Sequence, residues 1–190
     1  MVHHQSAQLA EIRVVVSQQA QQIQHLQASP PASPSTGTGG GSSSPPAALP
    51  GGAHYLSDLT ATVNNSSSST GQQVLVAKPY PNSFSFYCDG PNGDQPDVAY
   101  DVAGSTTFTS EVGIPDNMPN ATDVIATVTF TDQADQRVGK PLQVSLGHPV
   151  PVSLNISGVA QLGMTCVGRD ARTSEAMNDF QVTMGDARIH

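Results

Sequence analysis

The stretch Tyr100–Thr131 reads YDVAGSTTFTSEVGIPDNMPNATDVIATVTFT and carries the strongest fold signal in the chain. In its last eight residues apolar and mostly polar side chains alternate, and one face holds Val124, Ala126, Val128 and Phe130. Because successive side chains of a β-strand point to opposite faces, this alternation predicts a strand with one buried face. A Gly turn and an acidic loop separate two shorter apolar segments before it. The stretch therefore predicts three consecutive strands joined by turns.

The same pattern extends over residues 54–190, which are predicted to be all-β. Turn residues separate ten candidate strands: Tyr55–Asn64, Gln73–Lys78, Ser83–Cys88, Asp97–Val102, Thr106–Val112, Asp123–Thr131, Pro141–Leu146, Val150–Ile156, Gln161–Val167 and Phe180–Ile189. Many short strands with turn signals between them are typical of a β-sandwich. No long amphipathic helix is evident in this region, which disfavours an α/β enzyme fold.

The chain before this region divides into two segments. Residues 1–27 predict a short helix, because apolar residues from Leu9 to Leu26 recur at alternating spacings of three and four, as in a coiled coil. An isolated helix of this length is marginal in water, so residues 9–26 either form a homo-oligomer or remain an amphipathic tail. Residues 28–53 are rich in Pro, Gly and Ser and predict a disordered linker.

Charge and composition exclude some functions. The net charge is −8 with only seven basic residues, which argues against nucleic acid as a partner, because phosphate binding depends on Lys and Arg. Neither a secretory signal peptide nor a transmembrane segment is evident. On this basis the chain is cytoplasmic, or its export depends on a signal that these residues do not display, or it is one piece of a longer product.

No catalytic motif stands out. Gly39–Gly41 has no preceding strand and no Lys after it, so it is linker and not a phosphate loop, and a Gly-x-Ser-x-Gly elbow is missing. Two distant cysteines without paired His do not predict a zinc site. Asp116, Asn117 and Asn120 offer oxygen ligands for calcium, although they lack a defined ligand pattern and a simple acidic turn explains them better. The chain is therefore predicted not to be an enzyme, without a cofactor unless calcium binds there.

Several segments, taken in order, resemble one known family. Tyr55–Leu59 reads YLSDL, Tyr100–Asp116 joins an aromatic residue, a Gly turn and a Val-Gly-Ile-acidic ending, and Gly185–Ile189 reads GDARI. This order is similar to that of NPCBM domains, the putative carbohydrate-binding modules associated with glycosyl hydrolase family 98. The resemblance covers roughly residues 55–189. It implies a galactose-binding-like jelly-roll β-sandwich.

The resemblance also implies a function. It predicts a noncatalytic carbohydrate-binding module on a flexible tether, multimerised by the N-terminal helix, with a glycan partner and an extracellular or cell-surface location. The alternative is a degenerate module that serves as a protein-interaction or structural domain. Two departures from the family favour the alternative: Ser83–Cys88 replaces a Gly-Leu-Gly-x-His segment, and Met184 stands where a Trp is usual.

Five residues are candidates for sugar binding. Sugar sites place an aromatic ring against the apolar side of a pyranose and add polar groups for the hydroxyls. Tyr80 and Tyr87 can supply the ring, and Asp89, Arg169 and Asp170 the polar groups. The plainer interpretation is that the two Tyr are packing residues and that the polar groups form a solvated surface pair.

Cys88 and Cys166 are the two cysteines of the chain. Cys88 is in phase with Phe86, and Cys166 with Met164, so both thiols should point into the core. That placement, with the extracellular habits of the resembled family, predicts a disulfide between the sheets. Two inert buried thiols are the alternative. A disulfide would imply an oxidising compartment.

Overall fold

The structure is a computed structural model and describes residues 52–88 and 95–190. It contains twelve strands and one 3-10 helix, Leu56–Asp58, within these residues. The strands are β1 His54–Tyr55, β2 Val63–Asn64, β3 Ser69–Leu75, β4 Lys78–Tyr87, β5 Val98–Asp101, β6 Thr107–Gly113, β7 Val124–Thr131, β8 Leu142–Ser145, β9 Val150–Asn155, β10 Gln161–Asp170, β11 Ala176–Met177 and β12 Gln181–Ile189.

The strands form two antiparallel sheets. Sheet A has the order β3-β4-β12-β6-β9, with β1 paired to β12. Sheet B has the order β2-β5-β10-β7-β8, with β11 paired to β10. Strands that follow one another in the chain often lie in opposite sheets, as β5 and β6 do, so the connections cross between the layers. The predicted all-β sandwich is confirmed.

Three predicted strands differ from the structure. Ser83–Cys88 corresponds to the second half of β4, which already begins at Lys78. Tyr55–Asn64 is not one strand, because the 3-10 helix lies between β1 and β2. Gln73–Lys78 contains the turn of the β3–β4 hairpin, where Val76 and Ala77 have φ angles of 51° and 60°. Such positive φ angles favour Gly or Asn, so an apolar pair gave no turn signal. The predicted helix 1–27 lies outside the described residues, as does the predicted linker up to residue 51.

The alternating strand of the opening stretch packs as its pattern predicts. Val124, Ala126, Val128 and Phe130 are all buried in the core between the sheets. Phe130 packs against Phe108 of sheet A, with ring centroids 5.5 Å apart. Burial of apolar surface is the main favourable term in folding, so this strand joins the two layers.

The predicted disulfide is confirmed. Cys88, which follows β4 of sheet A, is bonded to Cys166 of β10 in sheet B. Their Cα atoms lie 4.8 Å apart, and both residues are fully buried. The bond therefore crosslinks the two layers through the core.

No helix among the described residues has the length and apolar character needed to cross a membrane.

Tyr100 makes the stability of the fold sensitive to alkaline pH. Its ring is buried against Phe84, with centroids 5.1 Å apart, and burial raises the pKa of the phenol to about 12. An unfolded Tyr loses its proton near pH 10. The free energy of unfolding should therefore be insensitive to this group below pH 10 and should fall as the pH rises from 10 to 12. Urea unfolding at stepped pH measures the fall, and Tyr100→Phe should reduce its slope. Equal slopes in both proteins would contradict the assignment.

Candidate functional site

The β3–β4 hairpin bends over the outer face of sheet A. Its pairing has a register shift between Gly71 and Gln73, and beyond this shift the hairpin lies on β6 and β12. Two glycines of the sheet make room for it. A Cβ on Gly113 would lie 3.2 Å from Leu75, and a Cβ on Gly185 would lie 2.9 Å from the ring of Tyr80. The hairpin thus packs as a second layer on part of the sheet.

Asp116 fixes the tip of this hairpin. One carboxylate oxygen accepts the amide hydrogen of Val76 at 2.8 Å, and the other accepts that of Ala77 at 2.7 Å. The amide of Asp116 donates to the carbonyl oxygen of Val74 at 3.0 Å. These bonds offset the cost of placing two residues other than glycine at positive φ, which is about 1–2 kcal/mol each.

An open groove of about 330 Å³ lies beside the hairpin on the outer face of sheet A. It is lined by residues of four strands: Tyr80 of β4, Thr109, Ser110 and Glu111 of β6, Pro151 and Val152 of β9, and Gly185, Asp186 and Arg188 of β12. We call it the hairpin groove. Its position follows from the strand order, because β6 is flanked by β12 and β9 and the hairpin closes one side.

The polar groups of the hairpin groove differ in how far they are already engaged. Glu111 is half-buried, and its carboxylate has no ion-pair partner within the described part of the chain. A bulge in β12 turns Asp186 toward the hairpin, where its carboxylate accepts the amide hydrogen of Asn82 at 3.0 Å. Arg188 donates to the hydroxyl of Tyr55 and lies over that ring, 4.8 Å from its centroid. Glu111 is thus the acceptor most available to a ligand.

Tyr80 forms the aromatic end of the hairpin groove. Only 6% of its surface is exposed, because it rests on Gly185 and because the Lys78 ammonium lies 4.6 Å from its ring centroid. The ring is therefore held in place by the protein itself. The arrangement can offer an apolar edge together with hydroxyl, carboxylate and guanidinium groups, which are suited to a ligand rich in hydroxyls.

The other predicted site residues lie elsewhere. Arg169 and Asp170 end β10 in sheet B, where the guanidinium donates to the carbonyl of Ser174 at 3.3 Å. The Asp170 carboxylate accepts the amide hydrogens of Arg172 and Thr173, both at 2.8 Å. Chiefly the bond from Thr173, and then that from Arg172, lowers the pKa of Asp170. Both side chains thus hold the turn that follows β10.

Tyr80 and Tyr87 do not form one site. Tyr80 rests on Gly185, whereas Tyr87 pairs with Gln181 four residues earlier on β12, or about 13 Å along the strand. Tyr87 is 36% exposed, at the end of β4 that precedes Cys88. Asp89, predicted beside it, lies outside the described residues. The four described residues among those predicted therefore belong to two regions: Tyr80 lines the hairpin groove, whereas Tyr87, Arg169 and Asp170 stand where β4 and β10 end, which we call the loop end of the sandwich.

The acidic loop after β6 has a structural role. Both oxygens of Asp116 already accept amide hydrogens of the hairpin, as described above. Calcium binding by Asp116, Asn117 and Asn120 stays a prediction.

The sequence analysis named Tyr80, which lines the hairpin groove, but did not name Glu111 and Arg188, which line it too. Glu111 was included in a predicted strand, and Arg188 in a segment that resembles a closing strand. Their common position depends on the pairing of β6 with β12, which joins residues far apart in the chain. One signal was present in the sequence: Glu111 is the single charged residue of its strand, and Asp186 and Arg188 are the two charged residues of theirs.

Solved structures of other proteins superpose on this chain. No family model and no curated protein matches the chain. The CBM51-2 and INT domains of Clostridium perfringens ZmpB superpose with a TM-score of 0.54 at 10% identity, over 73% of this chain and 31% of that chain. The tandem CBM51 modules of the Streptococcus pneumoniae family 98 glycoside hydrolase superpose with a TM-score of 0.52 at 14% identity, over 73% of this chain and 46% of that chain.

A ZmpB structure of the same domains in complex with GlcNAc gives a TM-score of 0.54 at 11% identity. This chain spans less than half the length of each of these solved chains. At such identities the likeness concerns the fold. The described domain therefore has a β-sandwich fold similar to that of these CBM51 modules.

Proposed function

We propose that the domain is a noncatalytic module that binds a glycan in the hairpin groove. The observation that carries this proposal is the lining of the groove, which combines a fixed Tyr80 with the carboxylate of Glu111, for which the described residues hold no ion-pair partner. Carboxylate oxygens accept hydrogen bonds from sugar hydroxyls, and an aromatic ring covers the apolar side of a pyranose. The structurally similar CBM51-2 domain of ZmpB has been solved in complex with GlcNAc, which supports a glycan as the class of ligand.

The hairpin groove accounts better for binding than the loop end does. At the loop end Arg169 and Asp170 are engaged by the turn that follows β10, so a sugar would compete with bonds that hold that turn. The Glu111 carboxylate makes no such hydrogen bond within the described part of the chain. The set Tyr87, Asp89, Arg169 and Asp170 is retained as the second candidate surface, and the experiment below compares the two.

Glu111→Ala is expected to weaken glycan binding by about tenfold or more, because a hydrogen bond to a charged group contributes roughly 1.5–3 kcal/mol. The change should leave the free energy of unfolding almost unaltered, since no partner loses an ion pair. The measurement is a glycan array with the full chain, followed by titration calorimetry on the best glycan. Arg169→Ala, a charge removed at the loop end, is the matched control and should retain the affinity.

The reverse result, with Arg169→Ala impaired and Glu111→Ala intact, would place the site at the loop end. Silence of the wild-type chain on neutral and acidic glycans would overturn the sugar proposal. Capture of a protein partner by that silent chain would then favour the alternative of a degenerate module. The small exposure of Tyr80 is the observation that favours this alternative.

The wider organisation is also part of the proposal. The disulfide is typical of an oxidising compartment, which supports an extracellular or cell-surface location. A flexible linker and self-association through residues 9–26 would present several shallow sites together and raise avidity. Light scattering on the full chain and on a chain lacking residues 1–30 tests this, because equal monomer masses would exclude self-association.

A further inference from the structure

The hairpin groove depends on a hairpin that is not a central part of the sandwich. Tyr80, its aromatic end, belongs to the portion of β4 that lies beyond the register shift and outside the pairing with β12, which runs from Phe84 to Tyr87. The backbone of Tyr80 pairs with Gln73 of the same hairpin, so pairing with β12 does not place it on the sheet. Its position must come from contacts that the hairpin makes with the outer face.

Those contacts occur at the base of the hairpin, next to its tip and at the tip itself. At the base, Asp186 accepts the amide hydrogen of Asn82. Next to the tip, Leu75 lies over Gly113 and is only 2% exposed. At the tip, Asp116 receives two amide hydrogens and donates one of its own to Val74. The tip has the most bonds, and they hold two residues in a backbone conformation that L-residues avoid.

We infer that Asp116 is a positioning residue for the hairpin groove: its carboxylate locks the tip of the β3–β4 hairpin to the loop after β6 and thereby holds Tyr80 on Gly185. The inference rests on the proposed glycan function for its binding consequence. The locking of the hairpin is independent of any ligand. Without the carboxylate, Val76 and Ala77 lose the bonds that compensate their positive φ angles, so the turn relaxes. Tyr80 then moves off Gly185.

The chain offers a matched control in Asp132. One oxygen of its carboxylate accepts the amide hydrogens of Ala134 and Gln136, both at 2.9 Å, in the turn that follows β7 of sheet B. Asp132 thus also accepts two backbone amide hydrogens from a turn, but from a different turn than Asp116. Removal of either carboxylate releases two amide groups, but only Asp116 acts on the hairpin groove.

The experiment compares Asp116→Ala with Asp132→Ala in the full chain. Hydroxyl-radical footprinting, read by mass spectrometry, reports the exposure of each Tyr without a ligand. In the wild type Tyr87 should be oxidised and Tyr80 protected, as their exposed fractions of 36% and 6% require. Asp116→Ala should raise the oxidation of Tyr80 severalfold, and Asp132→Ala should not. Glycan affinity should fall at least fivefold in Asp116→Ala and stay within twofold in Asp132→Ala.

Asp116→Asn keeps one carbonyl oxygen and serves if the Ala variant does not fold. It should restore part of the protection of Tyr80 and part of the affinity, which a purely global loss of stability would not do. If Tyr80 is as well protected in Asp116→Ala and Asp116→Asn as in the wild type, the inference is overturned. If the wild type binds no glycan while Tyr80 becomes oxidised in Asp116→Ala, the proposed function fails and the positioning role of Asp116 stands.

Discussion

Replacement of both cysteines by Ala should lower the free energy of unfolding by about 4 kcal/mol. The bond joins residues 78 positions apart, and a crosslink that closes so long a loop removes much of the conformational entropy of the unfolded chain. Both cysteines lie fully buried between the sheets, so their replacement by Ala also removes two packed sulfur atoms from the core. Equilibrium unfolding in urea measures the difference.

The single variants make this prediction specific. Because the bond needs both partners, Cys88→Ala and Cys166→Ala should each cost nearly as much as the double replacement. A double-mutant cycle should therefore give a coupling energy close to the cost of the bond itself. Two small single effects that add up would mean that the thiols contribute only as packed groups. Wild-type protein unfolded and refolded with a reducing agent should show most of this loss but not all of it, because the two thiols keep their sulfur atoms.

Phe130→Ala should destabilise the domain by about 3–5 kcal/mol, a large part of the 5–15 kcal/mol typical of a native protein. The ring is 1% exposed and contacts Phe108 of the opposite sheet. Truncation removes a contact between the layers and leaves a cavity that neighbouring strands cannot close without losing their pairing. The loss should appear as a lower urea midpoint with an unchanged slope.

Two variants on the same strand test the cause. Thr129→Ala changes the outer face of β7, where the side chain is only half-buried, and should cost less than about 1 kcal/mol. Phe130→Leu keeps most of the apolar volume and should give an intermediate loss. Equal effects of Thr129→Ala and Phe130→Ala would contradict the assignment of the buried face.

The sequence was sufficient where the signal is local. Alternation along a strand identified the buried face of Val124–Thr131, because side-chain direction depends only on position within that strand. The inward phase of Cys88 and Cys166 follows from the same rule. Turn residues located most strand ends, although there were exceptions. The Val76–Ala77 turn is one, since nothing in an apolar pair predicts a positive φ angle.

The sequence failed to predict which distant residues share a surface. Tyr80 and Tyr87 were both candidates for the ring that contacts a sugar, and they lie on different parts of sheet A. Calcium binding by Asp116 stays a prediction, but no local pattern indicated that its carboxylate accepts amide hydrogens from a hairpin tip about 40 residues earlier in the chain. Each of these relations depends on register between strands, and register is set by packing across the whole sandwich.

By itself, the sequence thus determined the all-β class, the inward cysteines and the buried face of the central strand. These properties follow from side-chain periodicity, which each segment expresses alone. Only the tertiary structure decided where a ligand could be held. The hairpin groove exists because β6 lies between β12 and β9 and because Gly113 and Gly185 let the β3–β4 hairpin approach the sheet. Glu111 and Arg188 both line the groove because β6 pairs with β12, which is far away in the chain. No local sequence pattern encodes that pairing.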